Sequence, residues 1–313
     1  MKIEIATVQA RQKGIALLTV LLVVVLATIA AVGMTSRQQI DIRRTENILR
    51  NDQIYLYLLG AEDWAKQILA QDSKDNSTDT LDDNWATILP PMPIEGGTVS
   101  GTIEDMQGRF NVNSLLIDGK VDEENLKRFK RLLQILELSP EIAEAVVDWL
   151  DDNEQVRQQG AEDNSYLNSE TPYRTANGEM ASTSELLYVR GMDFDRYQLL
   201  KPYLCALPGN TAININTSPA AVIASLAEGL ALESAEKLVE ERGTQGYASV
   251  DEFIKHGLFA KNKPKKVGLS VASQHFLLSA QVIMGQSQSQ LQSLVKRLNN
   301  NNMVVLQRLQ GEI

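Results

Sequence analysis

Twenty consecutive residues without a charge, Ile15 to Met34, stand near the N-terminus. Wound as a helix at about 1.5 Å per residue, such a run spans the roughly 30 Å hydrocarbon core of a bilayer. Arg11, Lys13 and Gly14 precede it, and Arg37, Arg43 and Arg44 follow only after the apolar stretch. Basic residues on both flanks leave the orientation undecided by charge alone. A secretory signal peptide fits poorly, because the run is too long for an h-region and no A-x-A site follows it. The segment reads as a membrane anchor.

The helix is expected to continue past the membrane surface. From Ser36 to Gln71 there is no proline, and the only glycine is Gly60. Ile40, Ile48, Leu49, Tyr55, Leu56, Leu59, Trp64, Ile68 and Leu69 recur at spacings of three, four and seven, which puts an apolar face on one helix. A continuous helix over 15–71 would be about 85 Å long, with a transmembrane half (15–35) and an amphipathic half (36–71). Asp72 to Asn84 then brings five aspartates with serine and threonine, and Pro90, Pro91 and Pro93 predict a rigid extended connector. Partial alternation from Thr98 to Asn113 predicts two short strands, closing a segment over 72–113. Gln274–Met284, Leu291–Leu298 and Met303–Leu309 predict strands in a C-terminal segment over 273–313. Asn299 to Asn302 form a hairpin loop there, since asparagine tolerates positive φ.

Composition narrows the function. The net charge is −10, so nucleic acid is a poor partner. One cysteine, Cys205, excludes an internal disulfide and a cysteine-based zinc cluster. The two histidines, His256 and His275, exclude a His-rich metal site.

An internal duplication organises the middle of the chain. Phe110-Asn111-Val112-Asn113-Ser114 is echoed by Ile213-Asn214-Ile215-Asn216-Thr217. Ala143–Asp148 is echoed by Ala235–Glu240, and Met180–Leu186 by Tyr247–Phe253, in the same order. Each copy reads strand, helix, helix, turn and a short helix; Ser182 with Glu185 and Ser249 with Glu252 have capping-box spacing. The units are predicted over 114–208 and 209–272. They look like helix-hairpin-helix modules, but neither turn carries the G-h-G that presents amides to phosphate, which again argues against DNA. Lys261 to Lys266 form a basic loop.

The first copy is longer by about 25 residues between Asp148 and Met180, in a stretch crowded with carboxylates. A loop this long inside a compact domain needs a reason. Hard divalent cations take six to eight oxygen ligands, which such a loop offers, although there is no EF-hand pattern. A solvated acidic loop has the same composition, and the residues alone leave both readings open.

The junction Lys13-Gly14-Ile15 resembles a type IV prepilin leader. That resemblance implies cleavage after Gly14 by a prepilin peptidase and N-methylation of Ile15. Most pilins have glutamate at the mature fifth position; here it is Thr19. Further residues carry a closer likeness: Gly108–Asn113, Val147-Asp148-Trp149-Leu150-Asp151, Gly160-Ala161-Glu162-Asp163, Pro172-Tyr173-Arg174, Pro202–Pro208 and Ile213–Thr217. With them the chain resembles the general secretion pathway protein K family, the large minor pseudopilin of type II secretion systems. The resemblance implies an α+β fold, in which a pilin-like helix and antiparallel sheet carry a large helical insertion. It implies calcium in that insertion, for which local density and the matched motif select Asp151, Asp152, Glu162 and Asp163. It also implies association with minor pseudopilins I and J, and H beside them, at the tip of a periplasmic pseudopilus. The anchor would then lie in the inner membrane, no catalytic activity is expected, and Thr19 marks the tip position. A minor pilin of a type IV pilus is the alternative. A membrane-anchored periplasmic carboxylate enzyme is a third reading, for which no convergent nucleophile, base or cofactor motif is present.

Overall fold

The apolar run and the amphipathic segment after it form one helix, α1, Ile5–Asp75. A computed structural model describes residues 5–260 and 262–311; the first four residues of the expected leader, and Lys261 of the basic loop, lie outside them. α1 passes through the Gly14–Ile15 junction without a break and runs four residues beyond the expected end. At 71 residues it measures roughly 105 Å. Residues 15 to 49 are solvent-exposed along the whole circumference. Above them Ile54, Leu58 and Leu69, with Glu62, turn one buried face to a sheet.

That sheet has five antiparallel strands in the order β1-β2-β9-β10-β11, of which β9 is His275–Met284, β10 is Ser287–Arg297 and β11 is Met303–Gly311. β1 is Leu89–Ile94 and β2 is Gly97–Asp105. The proline segment is therefore an edge strand rather than a connector. A strand with a free outer side can lack donors there, and its register shifts between Leu89 and Met92. The two strands expected up to Asn113 are the nine-residue β2 and a two-residue strand, β3 (Phe110–Asn111).

The chain leaves the sheet after Asp105 and returns on the neighbouring strand, where Asp105 pairs with Phe276. Everything between is an inserted body. β3 is followed by a small hairpin, β4 (Leu116–Ile117) and β5 (Lys120–Val121). Next come α2 (Glu123–Ile135), α3 (Ile142–Leu150), the short α4 (Asp163–Leu167), α5 (Phe194–Leu200) and β6 (Leu204–Cys205). The second unit is β7 (Ile213–Asn214), α6 (Ala220–Ser225), α7 (Leu232–Arg242), α8 (Val250–Ile254) and β8 (Leu269–Ser270).

The duplication is visible atom by atom. Asn113 gives its amide to Met180 O and accepts from Met180 N, both at 2.9 Å. Asn216 makes the same clamp on Tyr247, at 3.1 and 2.8 Å. β3 pairs in parallel with β6, and β7 in parallel with β8. Glu185 accepts from Ala181 N, and Glu252 from Ala248 N, at equivalent turns. One apolar core, including the stacked pair Phe110 and Phe129 at 5.3 Å, fills both units.

The return strands are β9 (His275–Met284), β10 (Ser287–Arg297) and β11 (Met303–Gly311). A bulge between Leu294 and Val295 leaves Leu306 without a partner in β11. The extra residue lets Val305 and Arg308 both reach the α1 side, where Arg308 meets buried Glu62 at 2.7 Å. At the top, Phe276 packs with Leu69, while Met284 packs with Ile54 lower down α1. The inserted body thus leaves from the sheet end farthest from the apolar run. Half-buried Asp105 holds it there, accepting from Thr217 Oγ1 and Ser273 Oγ at 2.6 Å and from Asn214 Nδ2 at 2.9 Å.

Candidate metal centre

α3 is an apolar helix of the first unit, and its last two turns carry Asp148 and then Asp151 at its C-cap. Positions i and i+3 share a helix face, so both carboxylates point the same way. The chain then loops out and comes back at Gly160-Ala161-Glu162, where a Cβ on Gly160 would stand 2.0 Å from Asp148 Oδ2. That approach brings Glu162 beside the pair. One oxygen from each of Asp148, Asp151 and Glu162 lies within 4.8 Å of the others, and all three residues are buried.

Few donors meet these oxygens. Asp148 Oδ2 accepts from Arg157 N at 3.1 Å, and Asp151 Oδ1 accepts from Asn153 N and Nδ2 at 3.1 and 2.6 Å. Asp148 Oδ1 and Glu162 Oε1 are buried without a partner. Arg157 turns its guanidinium to Glu144, which also pairs with Lys130. Among the described residues no lysine or arginine makes an ion pair with the three carboxylates. Burial pushes the carboxyls of Asp148 and Asp151 above their ordinary range. For Glu162, burial and then the neighbouring Asp148 and Asp151 raise it to about 7. Three buried carboxylates, two of them with an orphaned oxygen, need a cation or protons. All their ligand atoms are hard oxygens, the set that calcium takes.

A second acidic group differs in this respect. Asp72, Asp79 and Asp83 also converge, but Arg297 supplies the positive charge, 2.9 Å from Asp79 Oδ1. It needs no ion.

Of the four carboxylates selected from the sequence, the fold brings Asp151 and Glu162 together. Asp152 is exposed and is not one of the converging carboxylates. Asp163 accepts from Thr175 N and Oγ1 at 3.0 and 2.9 Å; the Thr175 hydroxyl, then its amide, holds its carboxyl below the usual range. The residue missed is Asp148, whose i, i+3 spacing to Asp151 on one apolar helix was the available signal. Trp149, next to it, packs edge-on against Tyr166 at 5.6 Å and closes the loop over α3. At the other end of the molecule Ile15 is exposed, and Thr19 Oγ1 donates to Ala16 O at 2.9 Å, back into its own helix.

Comparisons with known proteins fit this arrangement. Two family models, both described as type II secretion system protein K, match residues 108–209 and 213–272, the two units of the inserted body. A type II secretion system protein K of Pseudomonas aeruginosa is 35% identical over 96% of this chain and 93% of its own length. One from Pectobacterium carotovorum subsp. carotovorum is 36% identical over 97% of this chain and 98% of its own. Among solved structures, a chain of the GspK-GspI-GspJ complex from enterotoxigenic Escherichia coli superimposes with a TM-score of 0.76 at 28% identity. It covers 86% of this chain and all of that one.

Proposed function

The chain belongs to the type II secretion system protein K family, and we propose that it is the minor pseudopilin that caps the periplasmic pseudopilus and helps start its assembly. The observation that carries this reading is the place of the insertion. A body built from two helical units leaves between β2 and β9, at the sheet end remote from the membrane-length run. Subunits stacked on top of such a body would collide with it, whereas a subunit with nothing above has room.

In this reading α1 enters the inner membrane with its apolar run, and the sheet and inserted body stand in the periplasm. The peptidase cuts after Gly14 and leaves Ile15 as the methylated first residue. Thr19 places no carboxylate in the bilayer, where an unpaired one is costly. Pseudopilins I and J are the partners, as in the complex of the Escherichia coli relative. Calcium is the proposed ion, held by Asp148, Asp151 and Glu162. Its two positive charges would offset two of the three carboxylates, leaving one net negative charge, and its bonds would order the loop between α3 and the Ser182 cap. The role is structural assembly for the export of folded proteins, with no chemical step.

Deleting the gene from a strain carrying the whole secretion system should trap folded cargo in the periplasm, and the full chain should restore export. A chain with 106–274 replaced by a short turn should still insert in the membrane yet fail to restore export. Full export by that shortened chain would overturn the capping role.

A further inference from the structure

α2 carries Glu124, Arg128 and Arg131 at spacings of four and three, which put them on one helix face. Three cations converge there on one carboxylate. Glu124 Oε1 lies 3.9 Å from Arg128 Nε and 3.6 Å from Arg131 Nη2, while Lys265 Nζ stands 2.7 Å from Oε2. The two guanidinium contacts are too long for hydrogen bonds, and Arg128 Nε with Arg131 Nε and Nη2 are buried without a partner. The balance is the reverse of that in the metal centre, with positive charge in excess.

The basic loop lies over this face. In a chain of net charge −10, four lysines fall within the six residues 261–266. Lys263, Lys265 and Lys266 are exposed, while Pro264 among them is buried. Arg128, itself 1% exposed, donates from Nη2 to Lys265 O at 3.0 Å and to Val267 O at 2.8 Å. Asn262 Nδ2 donates to Glu228 O at 2.7 Å. Gly268, at φ +74°, ends the loop where an added Cβ would stand 2.8 Å from Arg128 Nη1. A lysine run that is only solvated needs no such fixing, which costs backbone entropy. Here a buried arginine sets the frame on which the lysines are displayed. Lys266 is met by Asp251 at 2.6 Å, but among the described residues no carboxylate pairs with Lys263.

Two sources of negative charge are out of place. Leu69, at the sheet end from which the inserted body leaves, lies 35 residues past Met34, about 50 Å along α1. That is several screening lengths above the headgroups around the apolar run. A nucleic acid would meet the repulsion of the whole acidic chain. A short acidic protein segment has to meet only this face.

We propose that the loop carrying Lys263 and Lys265 is a docking surface for an acidic segment of another protein. Carboxylates of the segment sit on the two lysines, over the positive charge that Arg128 and Arg131 hold beneath. The surface and its charge are independent of the capping role; only the compartment of the partner, the periplasm, rests on that reading.

The test uses the full chain, with calcium, in nanodiscs of phosphatidylcholine, a lipid without net charge. The probe is a fluorescent peptide of ten glutamates, followed by anisotropy. It should bind in about 50 mM salt and lose about tenfold in affinity by about 200 mM, because exposed charges are screened. Lys263→Glu, at a side chain with no partner to lose, should weaken binding about fivefold, and Lys263→Glu with Lys265→Glu about twentyfold or more. Lys120→Glu, on the β4–β5 hairpin, should leave it unchanged. Absence of peptide binding, or equal effects of Lys263→Glu and Lys120→Glu, would overturn the surface. Binding of phosphatidylglycerol vesicles through Lys263 in place of the peptide would also overturn it, and would assign a lipid instead. Should the double variant melt early, Lys263→Glu alone decides. A negative result leaves the capping role standing, since the assay reads no export.

Discussion

Gly160 presses on Asp148 so closely that any side-chain carbon there would sit 2.0 Å from Oδ2. The returning loop can therefore lie against α3 only as glycine, and the position of Glu162, two residues on, depends on it. Gly160→Ala should push the loop away and separate Glu162 from the aspartates. We expect a loss of about 1–3 kcal/mol in calcium and a much smaller loss in chelator, where the site is not closed by the ion. Thermal unfolding in the two buffers measures both. Equal losses would mean that the contact shapes the loop without shaping an ion site.

The acidity of Glu162 gives the site a pH signature. Its folded carboxyl is raised to about 7 from an ordinary value near 4.5, so the folded chain holds a proton that the unfolded chain has released between these values. In chelator, stability should thus fall as pH rises from about 4.5 to 7, by on the order of 3 kcal/mol. Asp148, Asp151 and Asp72 are shifted upward too and add the same sign. Calcium should reverse the slope around neutrality, because protons compete with it for the same oxygens. Asp148→Asn with Glu162→Gln should make the chelator profile shallower, leaving the part that belongs to Asp72, and abolish the calcium response. Asp152→Asn should change neither; if it did, the ligand set would have to be redrawn around the exposed carboxylate.

Glu62 behaves in the opposite way. Burial alone would raise its carboxyl, but hydrogen bonds from Arg308 and Ser293 overcome that and hold it down at about 2. Its contribution is full above about 4.5 and disappears as pH falls toward 2, below the window of Glu162. Glu62→Gln should cost about 2 kcal/mol at neutral pH, because Ser293 Oγ and Arg308 lose their charged acceptor inside the α1–sheet contact. Denaturant unfolding at pH 7 and at pH 3 should show the difference from wild type shrinking in acid. A constant difference would locate the effect in packing.

These groups also show what a sequence can and cannot convey. α1, the three return strands and the duplicated units rest on local signals: periodicity, caps, and the paired asparagines Asn111/Asn113 and Asn214/Asn216. Each signal survives folding because its partners lie on the same segment or recur in both copies. The ion site does not work that way. Carboxylate density points to 151–163 as a whole, yet whether a carboxylate turns inward depends on Gly160 meeting Asp148 and on Thr175 capturing Asp163. Those contacts cross twelve residues, and density is blind to them. The proline run misleads for a related reason, since only the sheet reveals that its outer side is a free edge.

Cleavage between Gly14 and Ile15 is a prediction of the junction itself. Intact mass of membrane-extracted protein should correspond to a chain that starts at Ile15 with one added methyl group. A mature form starting at Met1 would sink the prepilin reading. Gly14→Val should block processing, because a branched side chain crowds the peptidase at the scissile bond.

Thr19 bears on where in the filament the subunit stands. Its hydroxyl donates to Ala16 O, so it satisfies itself within α1 and asks nothing of a neighbour. A glutamate at this depth would be costly unless a cationic group met it, and in a stacked filament the amino terminus of the preceding subunit can do so. A subunit with none above it has no such amine. On the proposed capping role, the neutral side chain and the inserted body at the far end of the sheet make the same demand, that no copy sits on top. Gold-labelled antibody to the inserted body should mark sheared pseudopili at one end only. Label at intervals along the shaft would refute the tip position. Thr19→Glu should reduce assembly only mildly, about twofold or less in pseudopilus number, because an unpaired acid at the tip can stay protonated. Severe loss would mean that this residue contacts a neighbour within the membrane and that the subunit is not terminal.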